Sequence, residues 1–254
     1  MTFYKYQGTG NDFILLDNRE GKIKLSGTEV AHLCHRRFGI GADGLMLLEL
    51  QAGYDFRMVY YNSDGNESTM CGNGGRCITA FAKRLGLIDT AASFIAIDGP
   101  HRSRILENGV ITLHMNDVAA IDIQDGYTVL NTGSPHYVKW AADVNNTDVF
   151  TTGRSIRSQP EHQPNGINVN FVQLEKDKLV VRTYERGVED ETLSCGTGVT
   201  ASAIAATCNA TGSFKTVIDT LGGTLEVAFT KDTPGSAVHV TLTGPAEFVF
   251  KGDI

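Results

Sequence analysis

No apolar run in this chain of 254 residues approaches the roughly 18 that a spanning helix needs, so a membrane is not an expected partner. Basic clusters are missing too. Against 29 Asp and Glu stand 22 Lys and Arg, the formal charge is −7, and no segment concentrates the cations, which argues against nucleic acid. Met1 through Tyr6 show no basic segment leading into an apolar one, so no export signal is expected. Cysteine is scarce: five residues do not make a disulfide framework, and without an export signal they are expected reduced in a cytoplasm. Cys-x-x-Cys pairs are absent. Cys71 and Cys77 are six apart and Cys34 adjoins His35, neither being the spacing of a zinc site, so no metal is expected.

What the chain does have is one glycine-rich motif twice. Cys71-Gly72-Asn73-Gly74-Gly75 and Cys195-Gly196-Thr197-Gly198 each place a cysteine where a strand-like segment gives way to a helix-like one, 124 positions apart. Their surroundings repeat at nearly the same offset. Tyr61-Asn62 recurs as Tyr184-Glu185 and Gly10-Asn11 as Gly133-Ser134, both 123 apart. Gly41-Ala42-Asp43 leads into Leu45-Met46-Leu47-Leu48 as Gly166-Ile167-Asn168 leads into Val169-Asn170-Phe171-Val172, at an offset of 125. A period this long is no solenoid repeat; it reads as two similar domains, 1–118 and 119–244, with the linker in the polar stretch between Asn116 and Asp125.

Secondary structure can be read coarsely. Gly75 to Leu85 has helical composition, with basic residues in its last turn and Gly86 as a stop, while Val199 to Ala210 is nearly uncharged and reads as a helix enclosed on most sides. Cys77 and Cys208 fall in these segments and read as small core residues. Short apolar runs broken by turn residues, at Phe56–Tyr61, Phe94–Ile97, Val110–Met115, Leu179–Tyr184, Thr224–Phe229 and Val238–Leu242, predict strands. The fold class is α+β: two pseudo-symmetric domains, each a mostly antiparallel sheet or partial barrel wrapped around a central helix.

A cysteine at a helix start is in the place where a thiol is most acidic, because unpaired amides and the helix dipole favour its anion. There the pKa can fall from about 8.5 to roughly 3.5 to 7.5. One such residue suggests a nucleophile. Two, from matching halves, suit inversion of a carbon that carries a hydrogen: a thiolate removes the proton from one face and a thiol returns one to the other. The carbanion beside a carboxylate needs fixed donors, and two helix N-termini offer the amides of Gly72, Asn73, Gly196 and Thr197. The glycines let the backbone come close to a ligand.

Gly8-Thr9-Gly10-Asn11-Asp12-Phe13, then Asn62-Ser63-Asp64-Gly65 with Met70-Cys71-Gly72-Asn73-Gly74-Gly75-Arg76-Cys77, and Tyr184-Glu185-Arg186-Gly187 with Ser194-Cys195-Gly196-Thr197-Gly198, resemble the diaminopimelate epimerase family almost end to end. The resemblance implies interconversion of LL- and meso-2,6-diaminoheptanedioate in lysine and peptidoglycan precursor biosynthesis, without cofactor, by a homodimer whose substrate lies in the cleft between two domains. It also implies that the last strand, near Ala246 to Phe250, completes the first domain, so that 245–254 belongs with 1–118. Carried over residue by residue, it makes Cys71 and Cys195 the acid/base pair, with Gly72, Asn73, Gly196 and Thr197 on the reacting carboxylate. It puts Asn11, Asn62, Asn168 and Arg186 on the distal amino-acid end, Glu185 on an ammonium and near a thiol, and His136 beside a catalytic cysteine.

Two positions depart from the family's pattern: Ser134 stands where Asn is frequent before the Pro-His pair, and Gly44 where some members have Gln. The nearest alternative is a related cofactor-independent racemase acting on proline, hydroxyproline or histidine. Proline racemases resemble this pattern but carry His after the first Cys-Gly, where this chain has Asn73. A reading from another class is a thiol redox or binding protein in which Cys71 and Cys195 form a regulatory disulfide.

Overall fold

The computed structural model describes residues 1–254, which divide into two compact units, Met1–Leu113 with Gly244–Ile254, and His114–Thr243. The first unit runs β1 (Thr2–Gly8), β2 (Asn11–Asp17), α1 (Gly27–Cys34), β3 (Gly44–Glu49), β4 (Phe56–Asn62), α2 (Gly72–Arg84), β5 (Ala91–Ala96), β6 (Gly99–Ile105) and β7 (Ile111–His114). The second follows with β8 (Ile121–Gln124), β9 (Tyr127–Asn131), β10 (Pro135–Trp140), α3 (Val149–Arg157) and a short 3-10 turn, Pro160–His162. It continues with β11 (Asn168–Glu175), β12 (Lys178–Glu185), β13 (Asp190–Thr192), α4 (Gly196–Ala206), β14 (Gly212–Thr220), β15 (Gly223–Lys231) and β16 (Val238–Gly244). The chain ends in β17 (Glu247–Asp253).

Strand pairing is the same in both units. In the first, β1 to β7 pair in sequence order, antiparallel except for β2–β3 and β4–β5, which are parallel. In the second, β9–β10–β11–β12–β14–β15–β16 repeats that succession, with β10–β11 and β12–β14 as the parallel pairs. An extra antiparallel strand lies on each outer edge, β17 on β1 and β8 on β9. The α+β reading of two mostly antiparallel halves, each around a helix, is the fold observed. The polar stretch expected to be a bare linker nevertheless contributes β8, whose half-buried alternation of Ile121 and Ile123 is too short to register as a strand pattern.

The central helices begin three residues earlier than their composition predicts, at Gly72 and Gly196, each with a cysteine as N-cap. Ten of the 13 residues of α2 and nine of the 11 of α4 are buried, so both are enclosed on almost every side. Hydroxyls inside them are satisfied locally: Thr79, Thr200 and Ser202 donate to the carbonyls of Gly75, Gly196 and Gly198 one turn back. The outer helices α1 and α3 escape composition because their apolar faces are short. Ser26 and Glu29 form a full capping box on α1, and Asp148 caps α3 by accepting from Thr151 N. Val30 and Cys34 of α1 join a core with Phe3, Ile14, Leu16 and Leu47; Val149 and Ile156 of α3 pack on Val169, Phe171 and Tyr184.

Strand β17 closes the free edge of β1. Phe250 meets Phe3 edge-on at 5.8 Å, Phe248 meets Tyr6 at 5.6 Å, and the Arg84 guanidinium lies 4.0 Å from the centre of the Phe248 ring while donating to Tyr6 Oη. Deleting residues 245–254 should therefore strip amide-exchange protection from the β1 amides that point at β17 while sparing those bonded to β2 and the strands β10 to β12. Unchanged protection in β1 would show that the edge strand is dispensable.

Candidate active site

In the first unit the site is built on the start of α2. Cys71 has extended backbone, and its Sγ accepts from Gly74 N at 3.2 Å, so the sulfur does for this helix what a serine or aspartate oxygen does elsewhere. Gly72 and Asn73 supply the first amides of the helix. Asn11 opens β2, with its Oδ1 at 3.7 Å from Cys71 Sγ and accepting from Asn73 Nδ2 at 3.4 Å. Asn62 ends β4 opposite Gly44 and is held in a turn, its amide donating to Asn66 O and its carbonyl accepting from Gly65 N. Gly44 has a packing reason: a Cβ there would lie 2.6 Å from Cε2 of Tyr60 and 2.7 Å from Tyr61 O. A glutamine at this position would have to displace the Tyr60 ring.

In the second unit Cys195 occupies the same place at the start of α4, with Gly196 and Thr197 following, and its Sγ is 3.5 Å from Thr197 Oγ1. His136 on β10 pairs in register with Asn168 on β11. Around Asn168 two residues converge, Arg186 and Ser134: its Oδ1 accepts from the amide of Arg186, its Nδ2 donates to Ser134 Oγ at 2.8 Å, and Arg186 Nη2 donates to the same hydroxyl at 3.3 Å. The guanidinium meets only neutral acceptors, Ser134 Oγ and Asn165 O, and pairs with no carboxylate. Glu185, the residue before it, accepts from Thr192 Oγ1 at 2.7 Å. Ser134, read from the sequence only as a departure, thus links Asn168 to Arg186.

Asn170 and Thr183 carry no motif signal, yet they fix the state of His136. Thr183 donates to Asn170 Oδ1, whose Nδ2 donates to Tyr137 O and to His136 Nδ1 at 3.1 Å. Nδ1 is therefore an acceptor, and the imidazole proton sits on Nε2. That atom is buried without a protein partner. Burial, helped by the nearby Arg186 charge, pushes the histidine pKa down to about 3, so the ring is a neutral N–H donor at any cellular pH. Asn170 also packs against the first turn of α4, since a Cβ on Gly198 would lie 2.4 Å from its Oδ1.

Gly198 and Gly74 are equivalent, three residues after each cysteine, and a Cβ on Gly74 would lie 2.7 Å from Cε of Met46. These two glycines answer to the protein's own packing, whereas the sequence suggested only approach to a ligand. No three His, Cys, Asp or Glu side chains group to hold a metal ion.

Two outcomes follow for the second unit. Gly198→Ala should destabilise the protein by about 1 to 3 kcal/mol through overpacking against Asn170, read as a lowered midpoint in urea with unchanged slope; an unshifted midpoint would refute the crowding. His136 ionises near pH 3 when folded and near 6.5 in the unfolded reference. Between those values the unfolded state binds the extra proton, so this stability is whole above pH 6.5 and is lost as the pH falls toward 3. His136→Gln should flatten that part of the stability–pH curve, and a curve of unchanged steepness would contradict the buried neutral ring.

Known proteins resemble this chain in sequence and in fold. The family model described as diaminopimelate epimerase matches residues 3–117 and 128–249. The diaminopimelate epimerase of Flavobacterium psychrophilum is 53% identical over 257 residues, covering 100% of both chains, and that of Chlorobaculum tepidum is 40% identical, covering 97% of this chain and 98% of its own. Among solved structures, a hydroxyproline epimerase from Agrobacterium vitis superposes with a TM-score of 0.72 at 16% identity, covering 99% of this chain and 91% of that one. A PhzF-family phenazine biosynthesis protein from Bacillus anthracis gives 0.76 at 14% identity, with 100% and 98% covered. These distant structures share the fold. The sequence relatives settle more: the chain belongs to the diaminopimelate epimerase family of isomerases.

Proposed function

We propose that this protein interconverts LL- and meso-2,6-diaminoheptanedioate by a two-thiol mechanism without cofactor, serving lysine and peptidoglycan precursor synthesis in the cytoplasm as a homodimer. The observation that carries the reading is the pair of equivalent cysteine N-caps, Cys71 on α2 and Cys195 on α4, in units of matching topology. The reading requires the thiols to address opposite faces of one α-carbon. The thiolate takes the α-proton, and the C–H electron pair passes into the adjacent carboxylate as an enolate. The other thiol then protonates the opposite face. The carbon leaves inverted, with thiol and thiolate exchanged between the two cysteines.

The α-proton of an amino acid is a very weak acid, so stabilising the enolate is the larger task. The first-turn amides at Gly72, Asn73, Gly196 and Thr197 suit a carboxylate gaining charge; losing one such donor typically costs about 3 to 4 kcal/mol. The Arg186 guanidinium, which meets neutral acceptors and no carboxylate, is matched with the nearby Asn168 to a second carboxylate, and Glu185 to an ammonium. With Asn62 these recognise a second amino-acid head, which proline and hydroxyproline lack. His136, held as a neutral donor, acts by hydrogen bonding from Nε2 and not as an imidazolium acid.

Incubation in D₂O with LL-diaminopimelate, histidine, proline and hydroxyproline, followed by NMR, tests the substrate. Deuterium should enter the α-position of diaminopimelate alone, and exchange only in another amino acid would overturn the proposal. Cys71→Ala and Cys195→Ala should each lower epimerisation by at least about 10²- to 10⁴-fold; a single variant with near-normal turnover would sink the two-thiol mechanism. Arg186→Met should raise KM by about tenfold or more, the range for a lost hydrogen bond to a charged group, and an unmoved KM would remove Arg186 from the distal carboxylate.

A further inference from the structure

The side chains around Cys71 form a directed chain whose two ends are charges of opposite sign. Arg76, fully buried on α2, donates from Nη2 to Asn73 Oδ1 at 3.0 Å; Asn73 Nδ2 donates to Asn11 Oδ1; and Asn11 Nδ2 donates to Asp43 Oδ2 at 2.7 Å. An arginine can only donate and a carboxylate can only accept, so the ends leave each amide one orientation. Asn11 is thereby obliged to turn its carbonyl oxygen, and not its NH₂, toward the sulfur 3.7 Å away.

Asp43 is itself held hard. Its Oδ1 accepts from Arg36 Nη2 at 2.6 Å, its Oδ2 from the Asp12 amide at 3.2 Å, and its own amide donates to Asp12 O. Asp12 is bound by Lys5 at 2.7 Å and by Arg36 at 2.8 Å; burial alone would raise its pKa, but these cations hold it down to about 2. Lys5, Asp12, Arg36 and Asp43 thus form a network of zero net charge behind Asn11.

We propose that Asp43 is a positioning residue for the Cys71 thiol, acting through Asn11: by fixing the amide it presents an acceptor for the S–H proton and denies the thiolate a donor on that side. This deepens, and rests on, the reading of Cys71 as an acid/base group. Donation by Gly74 N and the Arg76 charge favour the anion, and the Asn11 carbonyl favours the thiol. A group that must give and take a proton in alternate directions needs both, since too acidic a thiol is a poor base and too weak an acid a poor donor. Other titratable groups near this turn are Cys77 on α2 and Asp98, which accepts from Met70 N and pairs with His101.

The test is the pH dependence of Cys71 alkylation by iodoacetamide in a Cys195→Ala background, with peptides resolved by mass spectrometry so that exposed Cys208 is scored apart and buried Cys34 and Cys77 do not interfere. Asp43→Asn removes the obligatory acceptor at one end, leaving only the 3.4 Å bond from Asn73 Nδ2 to orient the Asn11 amide, and the Cys71 pKa should fall by about one unit, a tenfold change in the thiol–thiolate equilibrium. With Asn11→Ala in place, Asp43→Asn should produce no further shift. A lowered melting temperature with an unmoved profile would make Asp43 merely structural, and a shift that persists in the Asn11→Ala background would make it a matter of charge alone; either overturns the proposal. If Asp43→Asn does not fold, Asn11→Ala alone, which keeps all four charges, must still lower the Cys71 pKa, and an unmoved profile defeats the idea. Alkylation requires no turnover, so these outcomes stand apart from whether diaminopimelate is the substrate.

Discussion

A helix enclosed on nearly every side carries its first-turn amides into the interior with it, and those amides have no partner within the helix. That constraint acts twice here, at Gly72 and at Gly196, and the surrounding structure answers to it. At α2 sulfur takes the place of a capping oxygen, whereas Cys195 holds the N-cap position of α4 without such a bond. Sulfur is a weak acceptor as a thiol and a strong one as a thiolate, so the cap that completes the helix is also the ionisation that chemistry can use. Stability and reactivity meet in one atom at the start of α2, where Gly74 N donates to Cys71 Sγ.

Burial at these starts leaves little room, and the small residues follow from it. Gly74 lies under Met46 and Gly198 under Asn170, each too close for a Cβ. The same enclosure explains cations without acidic partners. Arg76 is fully buried among four neutral acceptors, Gly72 O, Thr9 Oγ1, Asn73 Oδ1 and Pro245 O. Lys231, also buried, donates to Cys208 O and Thr207 Oγ1 at the far end of α4, and burial lowers its pKa. Satisfying a buried cation with neutral oxygens keeps its field, since no carboxylate cancels it. Arg76 spends that field beside Cys71; Lys231 spends its own on the carbonyl end of a helix, where the dipole welcomes it.

The duplication was legible because it is written in spacing. The pairs Tyr61-Asn62 and Tyr184-Glu185 end β4 and β12, and the segments after Gly41 and Gly166 become β3 and β11. Composition places the helix starts three residues late because cysteine is not among the usual capping residues and the glycines depress helical composition. Helix α1 has a weak periodic signal although Ser26-x-x-Glu29 spells a capping box, since only Val30 and Cys34 are buried along its length. Of the expected site residues, Asn168 and Arg186 meet directly, while Thr183 and Asn170, which fix His136, were invisible. Their contacts join strands 13 and 34 positions apart, and nothing in the local pattern of either strand marks them.

The two thiols stand on equivalent helices in unequal surroundings, and the inequality is chemical. Cys71 is flanked by an amide whose direction is dictated by Arg76 at one end of a chain and Asp43 at the other. Cys195 has the rotatable hydroxyl of Thr197 at 3.5 Å, and the neighbouring Asn170 is committed to His136. A hydroxyl can donate to a thiolate or accept from a thiol by turning about one bond, whereas the Asn11 amide cannot turn without leaving Asp43 unpaired. A reversible inversion needs the free energies of the two thiol–thiolate arrangements to lie close together. Fixed polarity at Cys71 and adjustable polarity at Cys195 would serve the proposed inversion, because the Thr197 hydroxyl can adapt to either protonation state of its neighbour.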